Sequence, residues 1–332
     1  MTLKDQIANI KRRKYPEKFA EIGSKPHILE LLPYLLYSLY KGRGYRKNLL
    51  KSFRINRIPL YSVTSKEIVS PPVIELIINS EQKDFRNLRE VITYAIANSV
   101  NPIGKTSVAV PSSQVKECKE VLSGIVEAYG IEVLSEDQFL TEAIREKLRK
   151  TFGKRYGWAL QQFLTVDRVL KSNYKGVLQV NSDTMLLRPT QWIDSEGRQP
   201  IMVSTEYHPP YYLFLHNLNK EFPVFTDSHI THHMLFQPEI FGEILRKSNV
   251  ETLEKLVDFT IANAQINENS PICVEFELYA LGALRYFPEK ITLAKFGNIN
   301  YPRRINANAI DFQVELQELA KKYNSISAHS YL

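Results

Sequence analysis

The sequence predicts an α/β fold, a mostly parallel sheet with helices on both faces, preceded by a basic helical extension. The order of the segments predicts this class, and the composition shows that the chain can bury a core. From residue 73 onward, short β-branched apolar segments alternate with longer segments of helical periodicity, an order that favours a parallel sheet. The chain has 332 residues, 44% hydrophobic and 24% charged, which is enough apolar material for a large buried core.

Four segments are predicted strands because they are short, rich in β-branched residues and bounded by polar residues or proline. Parallel strands align their carboxyl ends, and ligands of open α/β sheets bind beyond those ends. Asp183 lies just past the carboxyl end of the fourth of these segments. The segments are VIELIIN (73–79), KTSVAVP (105–111), IEVLS (131–135) and VLQVN (177–181).

Three segments between these strands have the spacing of amphipathic helices. The second begins at two serines, ends at a glycine and carries Cys118 on its apolar face, so we expect Cys118 to be a core residue. The segments are DFRNLREVITYAIANSV (84–100), SSQVKECKEVLSGIVEAYG (112–130) and YGWALQQFLTVDRVLKS (156–172).

The positive charge is concentrated at the N-terminus. Residues 1–58 contain 14 Lys and Arg against 4 Asp and Glu, a balance of +10, whereas the whole chain carries +7, so the remainder sums to −3. This split predicts a basic extension (1–58) and a catalytic domain (59–332). It argues against a basic catalytic channel for nucleic acid, so we expect no nucleic-acid partner, although an arm that binds nucleic acid is a third, weaker hypothesis.

The extension contains the segment ILELLPYLLYSLYKGRGYRK (28–47). As a helix, its apolar part would be about 20 Å long, too short to cross a hydrocarbon core of about 30 Å. Tyrosines beside lysines and arginines suit the headgroup region of an anionic membrane. Packing on the catalytic domain or on a second subunit is the alternative. With no secretory signal in the sequence, we expect a cytoplasmic protein, peripheral to the inner face of the plasma membrane.

An acidic turn, NSDT (181–184), follows the fourth predicted strand. Asn, Ser and Asp are good turn residues, so the segment could be only a turn. Alternatively, Asp183 coordinates a divalent cation that neutralises the charge of a diphosphate leaving group. The chain has no G-x-G-x-x-G, P-loop or G-x-S-x-G motif and no zinc spacing, which argues against dehydrogenases, P-loop enzymes, serine hydrolases and zinc enzymes.

Three segments resemble GT-A-type glycosyltransferases, especially a group of bacterial GT-A-like proteins. In that group a Gly-Trp…Gln-Gln helix precedes a strand that ends in Asp-Ser-Asp-Thr…Arg-Pro. The resemblance spans about residues 73–300 and implies a GT-A-like fold, a nucleotide-diphosphate sugar donor and a Mn²⁺ or Mg²⁺ site. The segments are GWALQQFLTVDRVLKSNYKGVLQVNSDTMLLRP (157–189), SHITHHMLFQPEIF (228–241) and EFELYALGAL (275–284).

The resemblance implies roles for the turn. Asp183 matches the carboxylate that usually binds the metal, and Asn181 stands where the family has the first Asp, with Ser182 between them as a further donor contact. Asn can form hydrogen bonds but brings no charge. This departure motivates an alternative of another class, a non-catalytic glycan- or membrane-binding protein on a degenerate GT-A scaffold.

Histidines and tyrosines provide further candidates. The resemblance implies that the cluster of His229, His232 and His233 lies near the active site. His232 and His233 are better candidates for metal ligands than His229. If the segment is a strand, residues 229 and 233 point to one face and residue 232 to the other. The alternative is three core histidines. Tyr207, Tyr211 and Tyr212 are candidates for contacts with a sugar acceptor, although ordinary packing explains tyrosines equally well. We expect Trp158, Gln161 and Gln162 to be structural.

A general base completes the prediction. In inverting GT-A enzymes a carboxylate at a helix start some 90–100 residues after the metal motif takes the acceptor's proton, as the resemblance implies. Glu275 lies 92 residues beyond Asp183 and begins an apparent helix, with Glu277 as its rival. The helix dipole is the alternative explanation of Glu275. We therefore predict a metal-dependent glycosyltransferase acting on a cell-surface glycan or a lipid-linked acceptor.

Overall fold

A five-stranded sheet lies at the centre of the computed structural model, which describes residues 58, 60–61, 70–204, 209–223, 227–263, 272, 274–300 and 310–328. Its strand order is β3-β2-β1-β4-β7; the first four strands are parallel and β7 runs antiparallel to β4 at the edge. The prediction of an α/β fold with a mostly parallel sheet is therefore confirmed. The bounds are β1 Ile74–Asn79, β2 Ile103–Val110, β3 Ile131–Ser135, β4 Val177–Val180 and β7 His233–Phe236.

Helices cover both faces of this sheet, because alternate residues of each buried strand point to opposite sides. Ile74, Leu76 and Ile78 pack with α1 and α2, whereas Ile77 packs into a larger core that includes α3, α4, α6 and α8. Cys118 is fully buried in the first of these cores, as predicted. The helices are α1 Phe85–Ala97, α2 Val115–Tyr129, α3 Glu142–Phe152, α4 Tyr156–Leu170, α5 Pro209–Leu218, α6 Pro238–Lys247, α7 Leu253–Asn263, α8 Phe276–Tyr286 and α9 Ile310–Lys322.

The predicted elements differ from the observed ones mainly at their ends. The helix predicted from residue 112 begins as a 3₁₀ turn and becomes α-helical at Val115, and it ends at Gly130, whose φ of +58° suits glycine. Two smaller sheets were not predicted: β5 Thr184–Leu186 pairs with β10 Ser325–Ser327 and through it with β9 Asn298–Asn300, and β6 Gln199–Val203 pairs with β8 Ile291–Lys295.

The predictions for the basic extension fall on residues 1–57, which lie outside the described residues, as does Tyr207, a predicted acceptor contact. No helix within the described ranges is long and apolar enough to cross a membrane. The predicted strand of histidines was partly wrong. Strand β7 begins at His233, and His232 has a left-handed backbone conformation with a φ of +51°, so the three histidines do not alternate along one strand.

Candidate active site

Two connected clefts open beyond the carboxyl ends of the parallel strands. The larger, lobe A, has a volume of about 360 Å³ and is bordered by Asn181, Asp183, His232 and Glu275. The smaller, lobe B, has a volume of about 260 Å³ and extends past the ends of β2 and β3 to Glu136. The lobes share residues that follow β1 and β4, including Lys83, Asp84 and Ser182, and therefore form one continuous groove.

The segment after β4 is a tight turn whose side chains also face the groove. The backbone N–H of Thr184 donates to the carbonyl of Asn181 at 3.0 Å, and the Thr184 hydroxyl donates to Asp183 Oδ1 at 3.2 Å. Asn181, Ser182 and Asp183 all border lobe A. The two interpretations of this segment are therefore compatible, because the turn holds Asp183 at the cleft.

His232 lies opposite Asn181 because β7 runs antiparallel to β4. The Asn181 N–H donates to the His232 carbonyl at 2.8 Å, which extends the strand pairing by one step, and the Asn181 amide nitrogen lies 3.4 Å from His232 Nδ1. A left-handed backbone is uncommon outside glycine and is found at functional sites. Here it occurs at the one member of the histidine cluster that borders lobe A.

His229 and His233 are 1% exposed and do not border either lobe. His229 Nδ1 lies 3.0 Å from the Met202 carbonyl. Burial, with the nearby His232, lowers the pKa of His233 to about 3, so its ring is neutral at physiological pH. Across the described ranges, no group of three or more His, Cys, Asp or Glu side chains is arranged to hold a metal ion.

Glu275 immediately precedes α8 and is 6% exposed at the wall of lobe A. Burial raises the pKa of its carboxyl to about 8, although hydrogen bonds with Thr165 and Gln179 oppose the rise. The side chain makes no hydrogen bond that caps the helix, and Oε2 has no hydrogen-bond partner among the described residues. A buried carboxyl oxygen left without a partner beside a cleft is a candidate for contact with a ligand.

Glu277, the rival of Glu275, is fully buried and does not border the groove. Its Oε1 accepts hydrogen bonds from the Tyr212 hydroxyl at 2.7 Å, the Ser228 hydroxyl at 2.8 Å and the His229 N–H at 2.8 Å. Glu277 and Tyr212 therefore belong to one buried structural network. Tyr211, by contrast, borders lobe A and remains a candidate for acceptor contact.

Two functional candidates, Lys83 and Asp84, were missed in the sequence. They follow β1, where the topological rule for ligand binding would have indicated them. Lys83 is the only lysine or arginine among the described residues that borders either lobe, and it pairs with Glu81 at 2.6 Å. Asp84 accepts a hydrogen bond from the Ser182 hydroxyl at 3.0 Å; burial, and then the charge of Asp183, raise its pKa.

The Gly-Trp…Gln-Gln helix, α4, supports the site. The Gln162 side-chain oxygen accepts a hydrogen bond from the Val274 N–H at 3.0 Å and so holds the segment that carries Glu275. Trp158 borders lobe A, and the guanidinium of Arg155 lies 3.9 Å from its ring centroid. Gln162 is thus a structural residue, whereas Trp158 presents an aromatic surface to the cleft.

No family model matches the sequence, and no curated protein matches it. Solved structures similar to the chain include apo mouse xyloside xylosyltransferase 1, with 11% identity over 77% of this chain and 98% of that one and a TM-score of 0.41. The mannosyltransferase Ktr4p from S. cerevisiae has 10% identity over 76% and 78%, with a TM-score of 0.49. An active-site mutant of LgtC has 8% identity over 76% and 86%, with a TM-score of 0.44.

These neighbours are glycosyltransferases and agree with the resemblance found in the sequence. Their identities of 8–11% and TM-scores below 0.5 are too low to indicate the activity of this chain.

The raised pKa of Glu275 predicts a pH-dependent stability. The folded protein keeps this proton up to about pH 8, whereas the unfolded chain loses it near pH 4.5, so the stability from this group is complete below pH 4.5 and is lost as the pH rises through 8. Glu275→Gln has no such proton. We therefore expect the variant to gain about 3–5 kcal/mol relative to the wild type between pH 5 and pH 9.

Urea unfolding of both proteins at several pH values measures this difference. Glu254→Gln, at an exposed position in the first turn of α7, serves as the control and should show no such trend. If the ionised Glu275 acted mainly by stabilising the start of α8, Glu275→Gln would instead become less stable than the wild type as the pH rises.

Proposed function

We propose that this protein is a glycosyltransferase that moves a sugar from a nucleoside diphosphate donor to a hydroxyl group of an acceptor, assisted by a divalent cation. The observation that carries the proposal is that Asp183 and Glu275 both border lobe A. One follows β4 and the other precedes α8, so separate parts of the fold bring a candidate phosphate-side carboxylate and a candidate base to one cleft.

The residues of lobe A fit a cation that shares its coordination with a substrate. Asp183, His232 and Asn181 all border lobe A and offer a carboxylate, a ring nitrogen and an amide oxygen. Mg²⁺ in particular is usually bound through one or two carboxylates together with substrate phosphates. When bound, such a cation supplies charge neutralisation at the departing diphosphate. His233, buried away from the groove, is not assigned to this set.

The other residues of lobe A have complementary roles. Lys83 would bind phosphate oxygens, because among the described residues it is the one lysine or arginine at the junction of the two lobes. Glu275 would accept the proton of the acceptor hydroxyl as that oxygen attacks the donor sugar. It can do so only when ionised, so we expect the rate to rise with pH towards the pKa of about 8. Trp158 and Tyr211 would contact the acceptor.

For the acceptor we propose a cell-surface glycan or a lipid-linked glycan, met at the cytoplasmic face of an anionic membrane. The charge balance of +10 in residues 1–58 supports this choice, since the remainder of the chain is slightly negative. A basic, tyrosine-bearing extension would hold the enzyme at the surface where such acceptors are found.

The role of Asp183 predicts a loss of metal-dependent binding. Asp183→Asn removes the negative charge but keeps the shape and the hydrogen bond with Thr184, so the fold should persist. We expect wild-type protein to bind nucleoside diphosphates more tightly with Mn²⁺ than without, and the variant to lose that increment. Isothermal titration calorimetry with and without Mn²⁺ measures it. An unchanged increment in the variant would leave residues 181–184 as a turn alone.

The role of Glu275 predicts a loss of turnover without loss of donor binding. Glu275→Gln should lower the rate of donor turnover by about 10² or more, the usual weight of general-base catalysis. The release of nucleoside diphosphate from nucleotide sugars, with the Glu254→Gln control in parallel, gives the rate. Near-wild-type turnover in the variant, or a product that keeps the donor's anomeric configuration, would contradict the assignment.

The basic extension predicts binding to anionic membranes. Each Lys or Arg near such a surface contributes about 1 kcal/mol, less at high salt. Deletion of residues 1–58 should abolish sedimentation with phosphatidylserine vesicles and leave nucleotide binding intact. Replacement of Lys41, Arg43, Arg46 and Lys47 by Gln should weaken sedimentation in part. Full-length protein that ignores these vesicles at low salt would show that the extension serves another purpose.

A further inference from the structure

Lobe B has the composition of a site for a flat heterocycle. The residues that it does not share with lobe A include apolar and aromatic side chains from the ends of β2 and the start of α4, among them Pro111, Tyr156, Leu160 and Leu164. Such surfaces suit stacking of a planar ring. Within the described residues, Glu136 is the only charged side chain of lobe B that is not also part of lobe A.

Glu136 directly follows β3 and is half-buried in the first position of a 3₁₀ turn. Arg145, the cation whose charge acts on the Glu136 carboxyl, forms its ion pairs with Asp137 and with Glu142, the latter at 2.6 Å. Among the described residues, no hydrogen bond or ion pair reaches the Glu136 carboxylate. Burial raises its pKa, with Arg145 opposing the rise at longer range. A half-buried carboxylate at the end of a cleft favours a ligand that brings N–H donors to it.

The position of Glu136 matches the extent of a nucleotide laid along the sheet edge. In the order β3-β2-β1-β4-β7, Glu136 follows β3 and Asp183 follows β4. These strands are three spacings apart, about 14 Å at about 4.8 Å per strand. If the diphosphate lies beside Asp183 and Lys83, the base of the same nucleotide extends towards Glu136.

The bases differ in what they offer to a carboxylate. Guanine presents its N1–H and its exocyclic N2 amino group side by side, so both carboxylate oxygens can accept a hydrogen bond. Adenine and cytosine place a ring-nitrogen acceptor beside their amino group, and uracil flanks its one N–H with two carbonyl oxygens. Each of these bases turns a lone pair towards the second carboxylate oxygen.

We propose that lobe B binds guanine, with Glu136 accepting hydrogen bonds from N1–H and the N2 amino group, so that the donor is a guanosine diphosphate sugar. This inference rests on the proposed transferase function and names its donor. Glu136 is a specificity residue that does not touch the reacting atoms.

The test compares the binding of GDP, inosine diphosphate, UDP, CDP and ADP by calorimetry in the presence of Mn²⁺. Inosine diphosphate retains N1–H but lacks the N2 amino group. We expect the wild type to bind GDP about tenfold or more tightly than the other four, in line with the discrimination of a bidentate contact. In Glu136→Gln, the preference for GDP over inosine diphosphate should shrink to within about threefold, since the pairing is lost. Glu127→Gln, at an exposed site on α2, should keep it.

The possible results distinguish a failure of the guanine assignment from a failure of the transferase proposal. Equal wild-type affinity for GDP and inosine diphosphate, or tighter binding of UDP, CDP or ADP, overturns the guanine assignment and leaves the transferase proposal in place. A GDP preference that survives in Glu136→Gln overturns the role of Glu136. Failure of all five nucleotides to bind overturns both proposals. The comparison of GDP with inosine diphosphate uses wild-type protein, so it does not depend on how well the variant folds.

Discussion

The candidate site depends on the antiparallel pairing of β7 with β4. Because β7 runs opposite to its neighbours, the residue before it meets the residue after β4, and the Asn181 N–H bonds the His232 carbonyl. The left-handed backbone of His232 turns the side chains of His232 and His233 in different directions. The His232 ring borders the cleft, and the His233 ring is buried beside Trp192 and Phe296. A fully parallel sheet would have brought a different segment to Asp183.

A buried polar network beneath the groove supports the other side of the site. The Arg168 guanidinium donates to the Ile78 carbonyl, to Asn79 Oδ1 and to the Ser107 carbonyl, and ties β1 to β2. Burial lowers its pKa to about 10, so it stays charged at neutral pH. Asn79 in turn donates to Thr165, a hydrogen-bonding neighbour of the Glu275 carboxyl. A charge fully enclosed by carbonyl acceptors is costly to rearrange, so this network keeps the cleft wall rigid.

Much of the central sheet could be predicted because its strands are buried on both faces and separated by periodic helices, a pattern that local sequence carries. The small sheet of β5, β9 and β10 could not be predicted from the sequence, because each of these strands has only three residues and its partners lie far along the chain. The turn at 181–184 was visible as a motif. The different environments of Glu275 and Glu277 could not be predicted. Two residues that are two positions apart lie on different helix faces, but the sequence does not indicate which face borders the cleft.

The charges that border lobe A determine how readily an anionic ligand can enter it. A diphosphate entering it meets four carboxyl groups, those of Glu81, Asp84, Asp183 and Glu275, and one ammonium, that of Lys83. Burial moderates this because it raises the pKa of Glu275 to about 8, so that Glu275 is largely neutral at neutral pH; burial also raises the pKa of Asp84. Even so, Asp183 and Glu81 outnumber Lys83, and an anion alone would be repelled at short range. The donor proposed above would therefore be best accommodated together with a cation, and a neutral Glu275 would reduce the repulsion that its diphosphate meets.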